Sequence, residues 1–157
     1  MPRHSYKKKS AFPDPIYNSI EVSKLITYLM HDGKKSVAQK IVYETFEQLK
    51  KEGKDPLKSL HQAIANVAPN FEVKPRRLGG ASYLVPIEVR LSRKIFLALN
   101  WMINAAQTKS NKEYKTFVAK LKTELVDAAN NQGEAVAKRL QTEKLAQANK
   151  AFAHLKW

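Results

Sequence analysis

Hydrophobic residues recur at helical spacing along most of the chain. From residue 18 onward, most apolar positions lie three or four residues apart, and polar residues occupy the positions between them. This spacing places the apolar side chains on one face of each helix, where they pack into a core. The pattern predicts six helices, with apolar positions grouped at 22–30, 37–49, 57–67, 95–106, 114–128 and 135–145.

Capping residues and helix breakers predict where these helices begin and end. Starts are predicted at two capping boxes and one Asp-Pro pair: Asn18 with Glu21, Ser110 with Glu113, and Asp55 with Pro56. Ends are predicted at Asp32-Gly33, Gly53, Pro69 and Gln132-Gly133. The last helix has a thin apolar stripe that includes Leu140 and Leu145, so we expect it to pack at the edge of the bundle.

The hydrophobic period changes from 3.6 to 2 between the third and fourth helices. Apolar residues alternate with others on both sides of Gly79-Gly80, over residues 71–90. Glycines supply the positive φ angles that a tight hairpin turn needs, so this segment is predicted to be one β-hairpin. Pro75 and Pro86 cannot donate to a strand ladder, and we therefore expect two edge strands that project from the domain.

These elements predict an all-α fold: a six-helix bundle domain with a protruding β-hairpin between the third and fourth helices. Residues 1–17 combine basic residues with two prolines and have no hydrophobic period, which predicts a flexible basic arm. Residues 18–157 are predicted to form the helical domain. The length suits a single core.

Composition narrows the function. The 157 residues include 28 Lys and Arg against 14 Asp and Glu, which gives a net charge of +14 and indicates an acidic partner. The absence of cysteine excludes disulfides and thiol chemistry. No run is long enough for a membrane span, and the basic start lacks the apolar stretch of a signal peptide, so we expect a cytoplasmic protein without membrane contact.

The excess cations form four clusters, each in the arm, in a loop or at the end of an element. They are Arg3, Lys7, Lys8 and Lys9; Lys34 and Lys35; Lys74, Arg76, Arg77, Arg90, Arg93 and Lys94; and Lys109, Lys112 and Lys115. Around the hairpin, the alternative is a charged edge that prevents strand pairing. Adjacent arginines beside a tyrosine favour phosphate and base contact instead. An arm with a projecting hairpin indicates folded RNA more than a regular major groove.

Other functional classes fit the residues less well. The four histidines, His4, His31, His61 and His154, form no metal or nucleophile pattern, so we predict no enzyme, metal or cofactor. The alternative is a DNA-binding helix-turn-helix built from helices 37–50 and 56–68, but its second helix begins with residues poorly suited to reading bases. A structural adaptor would leave the basic clusters without a purpose.

Three separated motifs carry a family resemblance. The segment 66–90, NVAPNFEVKPRRLGGASYLVPIEVR, resembles the signature of small-subunit ribosomal protein seven. The stretches LMHDGKKSVA at 29–38 and ANKAFAHLKW at 148–157 are also similar to this family in its bacterial form. The resemblance covers the chain from about residue 12 to its last residue.

The resemblance implies a helical domain with a protruding hairpin that binds the 3′ major domain of small-subunit rRNA and starts assembly of the subunit head. It implies rRNA contact for the basic arm and for Lys34, Lys35, Lys74, Arg76, Arg77, Arg93 and Lys94. It implies proximity to exit-site tRNA and mRNA for the hairpin tip: Leu78, Gly79, Gly80, Ala81, Ser82, Tyr83 and Leu84. Neighbouring head and platform proteins are implied partners.

The charge pattern of the arm generates a first prediction. Residues 1–11 have charge without an apolar period, so we expect them to be disordered in the free protein and to become ordered on RNA. Backbone NMR order parameters measured in both states test this expectation. A rigid arm in the free protein would contradict it.

Overall fold

A computed structural model describes residues 12–155, which form seven helices and one two-stranded antiparallel sheet. In chain order the elements are α1 (Ile20–Leu29), α2 (Lys35–Lys51), α3 (Pro56–Val67), β1 (Phe71–Leu78), β2 (Ala81–Glu88), α4 (Leu91–Thr108), α5 (Phe117–Ala129), α6 (Glu134–Ala148) and a 3₁₀ helix (Lys150–Leu155). No helix in this part of the chain is long and apolar enough to cross a membrane. The predicted hairpin between the third and fourth helices is confirmed.

The core is built from the apolar faces of the six α-helices. Phe46, Leu25, Leu99 and Leu121 are among its fully buried side chains, and each comes from a different helix. Helix α5 is central, because it packs against α2, α3, α4 and α6. Asn66 on α3 reinforces this arrangement by donating from its side-chain amide to the carbonyl oxygens of residues 128 and 129 at the end of α5.

Helix starts agree with the predictions in one case and differ in two. Asp55 caps α3, since its carboxylate accepts from the backbone N–H groups of the second and third helical residues. The predicted cap at Asn18 is wrong by one residue: Asn18 has a φ of 47°, and Ser19 accepts from the N–H of Val22 instead. The predicted start at Ser110 is wrong by more, because Thr116 caps α5.

The Ser110 motif forms only a single turn before α5. The hydroxyl of Ser110 accepts from the backbone N–H of Lys112, and its carbonyl accepts from the N–H of Tyr114. The chain then continues to the extended backbone of Thr116 before the helix begins. A capping box therefore indicated a local turn here and not the start of a long helix.

The end of the predicted arm belongs to the packed structure. Asp14 is almost fully buried and accepts from the N–H groups of Ile16 and Tyr17 and from the hydroxyl of Tyr43 at 2.8 Å. The ring of Tyr17 packs edge-on against Phe46 in the core, with ring centres 5.0 Å apart. The predicted boundary at residue 17 is therefore too late, because these contacts attach residues 14–17 to the bundle. Residues 1–11 of the arm lie outside the described part of the chain.

The hairpin is a regular ribbon with a two-residue turn. Its strands pair from Phe71 with Glu88 to Leu78 with Ala81 without interruption. Gly79 and Gly80 have φ angles of 54° and 88°, which are the positive values that a type I′ turn requires at both central positions. The predicted turn chemistry is confirmed.

The hairpin packs against α6 and the 3₁₀ helix. Val85 is fully buried, and the ring of Tyr83 lies 5.2 Å from that of Phe152 in the 3₁₀ helix. The sequence pattern missed this helix, because one aromatic residue in six shows no period. Of the apolar stripe predicted for the last helix, Ala135 and Val136 are buried, whereas Leu140 and Leu145 are about half exposed.

A buried ion pair joins α4, α5 and α6. The carboxylate of Glu124 on α5 is fully buried, with one oxygen 3.0 Å from the ammonium of Lys109 and the other accepting from the backbone N–H of Ala135 at 3.1 Å. Asp127 also contacts Lys109, at 3.2 Å. Gly133 has a φ of 92°, and a Cβ there would come within 3.0 Å of the Glu124 carboxylate. Both the positive φ and these tight contacts disfavour a side chain at Gly133, where the chain crosses the carboxylate to begin α6.

Burial acts to lower the pKa of Lys109, but the hydrogen bonds and negative charges of Glu124 and Asp127 outweigh it and raise the pKa above its ordinary value. Lys109 is therefore charged in the folded protein at neutral pH. A folded-state pKa above the unfolded value contributes stability at neutral pH, and this contribution is lost as the pH rises through the raised pKa.

The buried pair generates a stability prediction. Glu124→Gln removes the charge that compensates Lys109 while keeping a similar shape, so we expect it to destabilise the fold by about 2–3 kcal/mol. For a domain of this size, that is a fall of roughly 4–12 °C in the unfolding midpoint. Thermal unfolding followed by circular dichroism measures it.

Glu52→Gln is the matched control. Glu52 forms a shorter ion pair, 2.6 Å from Lys122, but the Glu52 side chain is 42% exposed and that of Lys122 is 25% exposed. Solvent weakens such pairs, so this variant should leave the midpoint nearly unchanged. Equal shifts in the two variants would show that burial of Glu124 does not determine its contribution.

Candidate nucleic-acid interface

An open groove of about 1020 Å³ lies between the hairpin base and the start of α4. Its walls include the predicted cations Lys74 and Arg76 from β1, and Arg90 and Arg93 from the start of α4. The structure thus brings together four residues of one sequence cluster that come from two separate elements. A groove lined by cations from two sides suits a polyanion.

One carboxylate organises two of these cations. Glu72 lies 3.1 Å from the ammonium of Lys74, and its other oxygen accepts from the Nε–H of Arg93 at 3.3 Å. The side chain of Glu72 is only 14% exposed, whereas those of Lys74 and Arg93 are about half exposed. The cations therefore face solvent while the carboxylate lies beneath them.

Aromatic rings support the guanidinium of Arg93. Its central carbon lies 5.0 Å from the centre of the Phe96 ring, which is within range of a cation–π contact. Phe96 in turn packs edge-on against Tyr28 of α1, with ring centres 5.2 Å apart. Stacked guanidinium and aromatic groups are also the surfaces on which unpaired nucleobases stack. The groove thus offers sites for phosphate and for base.

A short hydrogen-bonded chain fixes the corner where the hairpin meets α4 and α6. The ammonium of Lys94 donates to the side-chain oxygen of Asn70 at 2.7 Å. The backbone N–H of Asn70 donates to the carboxylate of Glu143 on α6 at 3.2 Å. Lys94 therefore holds the base of the hairpin in addition to contributing positive charge.

Two helices begin with cations where acids are usual. The first turn of α4 contains Arg93 and Lys94 and no acidic residue, and α2 begins with Lys35 directly after Lys34. The N-terminus of a helix carries a partial positive charge, so each cation there is unfavourable by a few tenths of a kcal/mol or more in the free protein. A bound phosphate would remove this conflict.

The adjacent arginines of β1 face in opposite directions. Successive side chains of a strand point to opposite faces, and Arg76 lines the groove together with Lys74. Arg77 lies on the other face, is exposed, and pairs across the ribbon with Ser82. The two arginines are therefore not equivalent, although the sequence presents them as one motif.

The remaining predicted cations occupy different environments. Lys109 is paired inside the molecule with Glu124 and Asp127, so its charge is used by the fold. Lys112 and Lys115 of the same cluster are exposed. Lys34 and Lys35 are also exposed, and Lys34 lies 3.7 Å from Asp32. The arm residues Arg3, Lys7, Lys8 and Lys9 fall outside the described residues.

The hairpin tip is mainly exposed. Leu78 and Leu84 are 37% and 40% exposed, and the turn glycines lie in open space. Tyr83 is the exception, because it is half-buried against Phe152. Of the residues predicted to lie near tRNA and mRNA, Tyr83 therefore has a packing role as well.

The geometry gives little support to the helix-turn-helix alternative. Helix α3 buries Leu60, Ala63, Ile64 and Val67, and Lys58 is its only Lys or Arg. A recognition helix needs cations and amides on its exposed face to reach phosphates and base edges. The cations instead concentrate around the groove.

Sequence reasoning identified the cations of the groove but missed the residues that arrange them. Glu72, Asn70 and Phe96 were absent from the candidate set. One signal was available for Glu72, since it is one of only two acids among the cations between residues 72 and 94. A lone acid in a basic cluster indicates a specific partner. Nothing in the local sequence shows that Arg93 would lie over Phe96.

Comparison with known proteins identifies the family of the chain. The model of the family described as ribosomal protein S7p/S5e matches residues 1–150. The small ribosomal subunit protein uS7 of Thermosipho africanus is 52% identical over the whole of both chains. The proteins of the same name from Caldicellulosiruptor bescii and Thermoanaerobacter sp. strain X514 are 50% and 48% identical, also over full length.

These matches have clear consequences. The family is one of ribosomal proteins and not of enzymes, and binding to RNA and a part in translation follow from membership. The family resemblance found in three sequence motifs is confirmed over the whole chain. The chain belongs to the ribosomal protein S7p/S5e family.

Proposed function

We propose that this protein is a structural constituent of the small ribosomal subunit and binds its rRNA through the groove between the hairpin base and α4. The observation that carries the proposal is the convergence of Lys74, Arg76, Arg90 and Arg93 around one open groove with an aromatic floor. Folded RNA supplies both the phosphates and the unstacked bases that such a surface binds.

The full contact surface extends beyond the groove. It includes the exposed cations at the starts of α2 and α5 and, in the sequence, the basic arm. The proposed rRNA contacts are Arg3, Lys7, Lys8, Lys9, Lys34, Lys35, Lys74, Arg76, Arg77, Arg90, Arg93, Lys94, Lys112 and Lys115. Lys109 is left out because its charge is paired inside the fold.

The position of the protein in the subunit is proposed from the family. The RNA partner is the 3′ major domain, where the protein nucleates assembly of the head and meets neighbouring head and platform proteins. The exposed tip, residues 78–84, lies by the exit site and approaches tRNA and mRNA. The relatives that support this are small ribosomal subunit proteins, which also supports a location in cytoplasmic ribosomes.

The opposed arginines generate a binding prediction. Arg76→Ala together with Arg77→Ala should weaken binding to a transcript of the 3′ major domain and flatten the plot of log K against log salt by up to about 1.4–1.8, at about 0.7–0.9 per lost phosphate contact. Comparison of the two single variants shows how much of the effect comes from each face of the strand. Filter binding over a salt series measures both slopes.

Lys40→Ala is the control for charge alone. Lys40 is a highly exposed cation on α2 that pairs loosely with Glu44, on a face where acids and bases alternate. Its removal also lowers the net charge by one but should leave the slope unchanged. A wild-type slope in the Arg76 and Arg77 variants would contradict the proposed interface.

The exposed tip generates a second prediction. Removing residues 77, 78, 81 and 82 shortens the ribbon by two pairs, which keeps the alternation of the ladder and spares both Arg76 and Tyr83. The tip buries little, so the protein should fold and enter small subunits in normal amount. We expect altered retention of exit-site tRNA or altered reading-frame maintenance.

Mass spectrometry of purified subunits measures incorporation, and a frameshift reporter measures the reading frame. Arg77→Ala at full length is the control for the one charge that the deletion removes. Failure of the shortened protein to incorporate would show that the tip takes part in assembly. Normal incorporation with unchanged tRNA retention and reading frame would show that it does not act at the exit site.

A further inference from the structure

We propose that Glu72 is a positioning residue for RNA binding, although it carries the same sign of charge as RNA. It holds Lys74 and Arg93 in a fixed arrangement at the groove, so that both present their charges to one segment of the RNA backbone. This inference rests on the proposed function, because it assigns a role within the same groove.

The location of Glu72 between two elements is the first argument. Glu72 and Lys74 lie two residues apart on β1 and therefore on the same face of the ribbon. Arg93 comes from α4, and its Nε–H reaches the second oxygen of the same carboxylate. Glu72 is therefore the ionic link between the hairpin and α4 in this groove, and the relative placement of the two cations depends on it.

The second argument is electrostatic. Lys74 and Arg93 each lie within 3.3 Å of the same carboxylate, so two half-exposed cations are held close enough to repel each other. Glu72 offsets that repulsion from beneath, where its side chain is only 14% exposed. An approaching phosphate meets the two cations first and is largely shielded from the carboxylate.

The third argument concerns the geometry of Arg93. A guanidinium has five N–H donors in a planar fork, and Glu72 takes the one on Nε. With that edge fixed and one face on Phe96, the plane of the group is determined. The terminal nitrogens then lie along the outer edge, which is the edge that binds phosphate in a bidentate manner. Fixing this plane before binding lowers the entropy lost on association.

The test compares Glu72→Gln with Glu88→Gln. Glu88 lines the same groove and is exposed, so each substitution removes one negative charge from the same surface. If only the loss of a negative charge mattered, both variants would bind RNA more tightly than the wild-type protein. We expect Glu88→Gln to tighten binding to the 3′ major domain transcript about twofold and Glu72→Gln to weaken it about threefold to tenfold, because glutamine lacks the charge that holds two cations.

The slope of log K against log salt is a second measurement, and the loss of one carboxylate charge by itself should not change it. If Arg93 no longer reaches its phosphate, Glu72→Gln should flatten the slope by about 0.7–0.9, whereas Glu88→Gln should leave the slope unchanged. Thermal unfolding of each variant is measured in the binding buffer. Binding is then compared only at temperatures at which both variants are folded. Tightening by Glu72→Gln equal to that of Glu88→Gln would overturn the inference.

A double variant keeps the test decisive. On an Arg93→Ala background only the contact of Glu72 with Lys74 remains, so adding Glu72→Gln should weaken binding less than it does in the wild-type protein. An undiminished loss there would also overturn the inference, since it would mean that Glu72 acts through the hairpin and not through Arg93. If Arg93→Ala itself binds RNA like the wild type with an unchanged slope, the proposed groove fails. If Arg93→Ala weakens binding but Glu72→Gln does not, only the role of Glu72 fails.

Discussion

The carboxylate of Glu124, which is buried without access to water, constrains the second half of the molecule. A charge in that position is tolerated only with a partner on each side, and the two partners come from the end of α4 and the start of α6. The requirement fixes where α6 begins and disfavours a side chain at Gly133, where a Cβ would lie 3.0 Å from the carboxylate. Since α6 supports the base of the hairpin through Glu143, the groove between the hairpin base and α4 depends indirectly on an ion pair buried elsewhere in the fold.

Hydrophobic period and turn chemistry were sufficient to predict the succession of helices and the hairpin. They failed where a local motif competed with a nearby one: Ser110 has the spacing of a capping box, but Thr116 caps the helix. They succeeded only in part in α6, where Ala135 and Val136 of the predicted apolar stripe are buried but Leu140 is exposed. The helix packs further through Ala146, because a small residue allows the close approach that packing at the edge of the bundle needs.

The candidate site also has a part that the sequence predicts and a part that it does not. The clusters of cations can be found in the sequence because they lie in loops and at the ends of helices and strands. The sequence does not show which of these cations form ion pairs inside the fold and which face solvent. In the structure, Lys109 forms an ion pair with a buried carboxylate, whereas Arg93 lies over an aromatic ring at the groove. The acid that relates the two sides of the groove is 21 residues from its arginine partner. No local pattern indicates such a pairing, because it exists only once the hairpin lies beside α4.

The contact between Tyr83 and Phe152 has a consequence for the order of events during synthesis. Phe152 is made 69 residues after Tyr83, which at 5–20 residues per second is a delay of roughly 3–14 s. Glu143, the partner of the Asn70 backbone, is also made late. A nascent chain thus exposes the cations of the hairpin before the supports of the groove exist. Incomplete chains therefore carry the positive charge of the hairpin but not the completed groove.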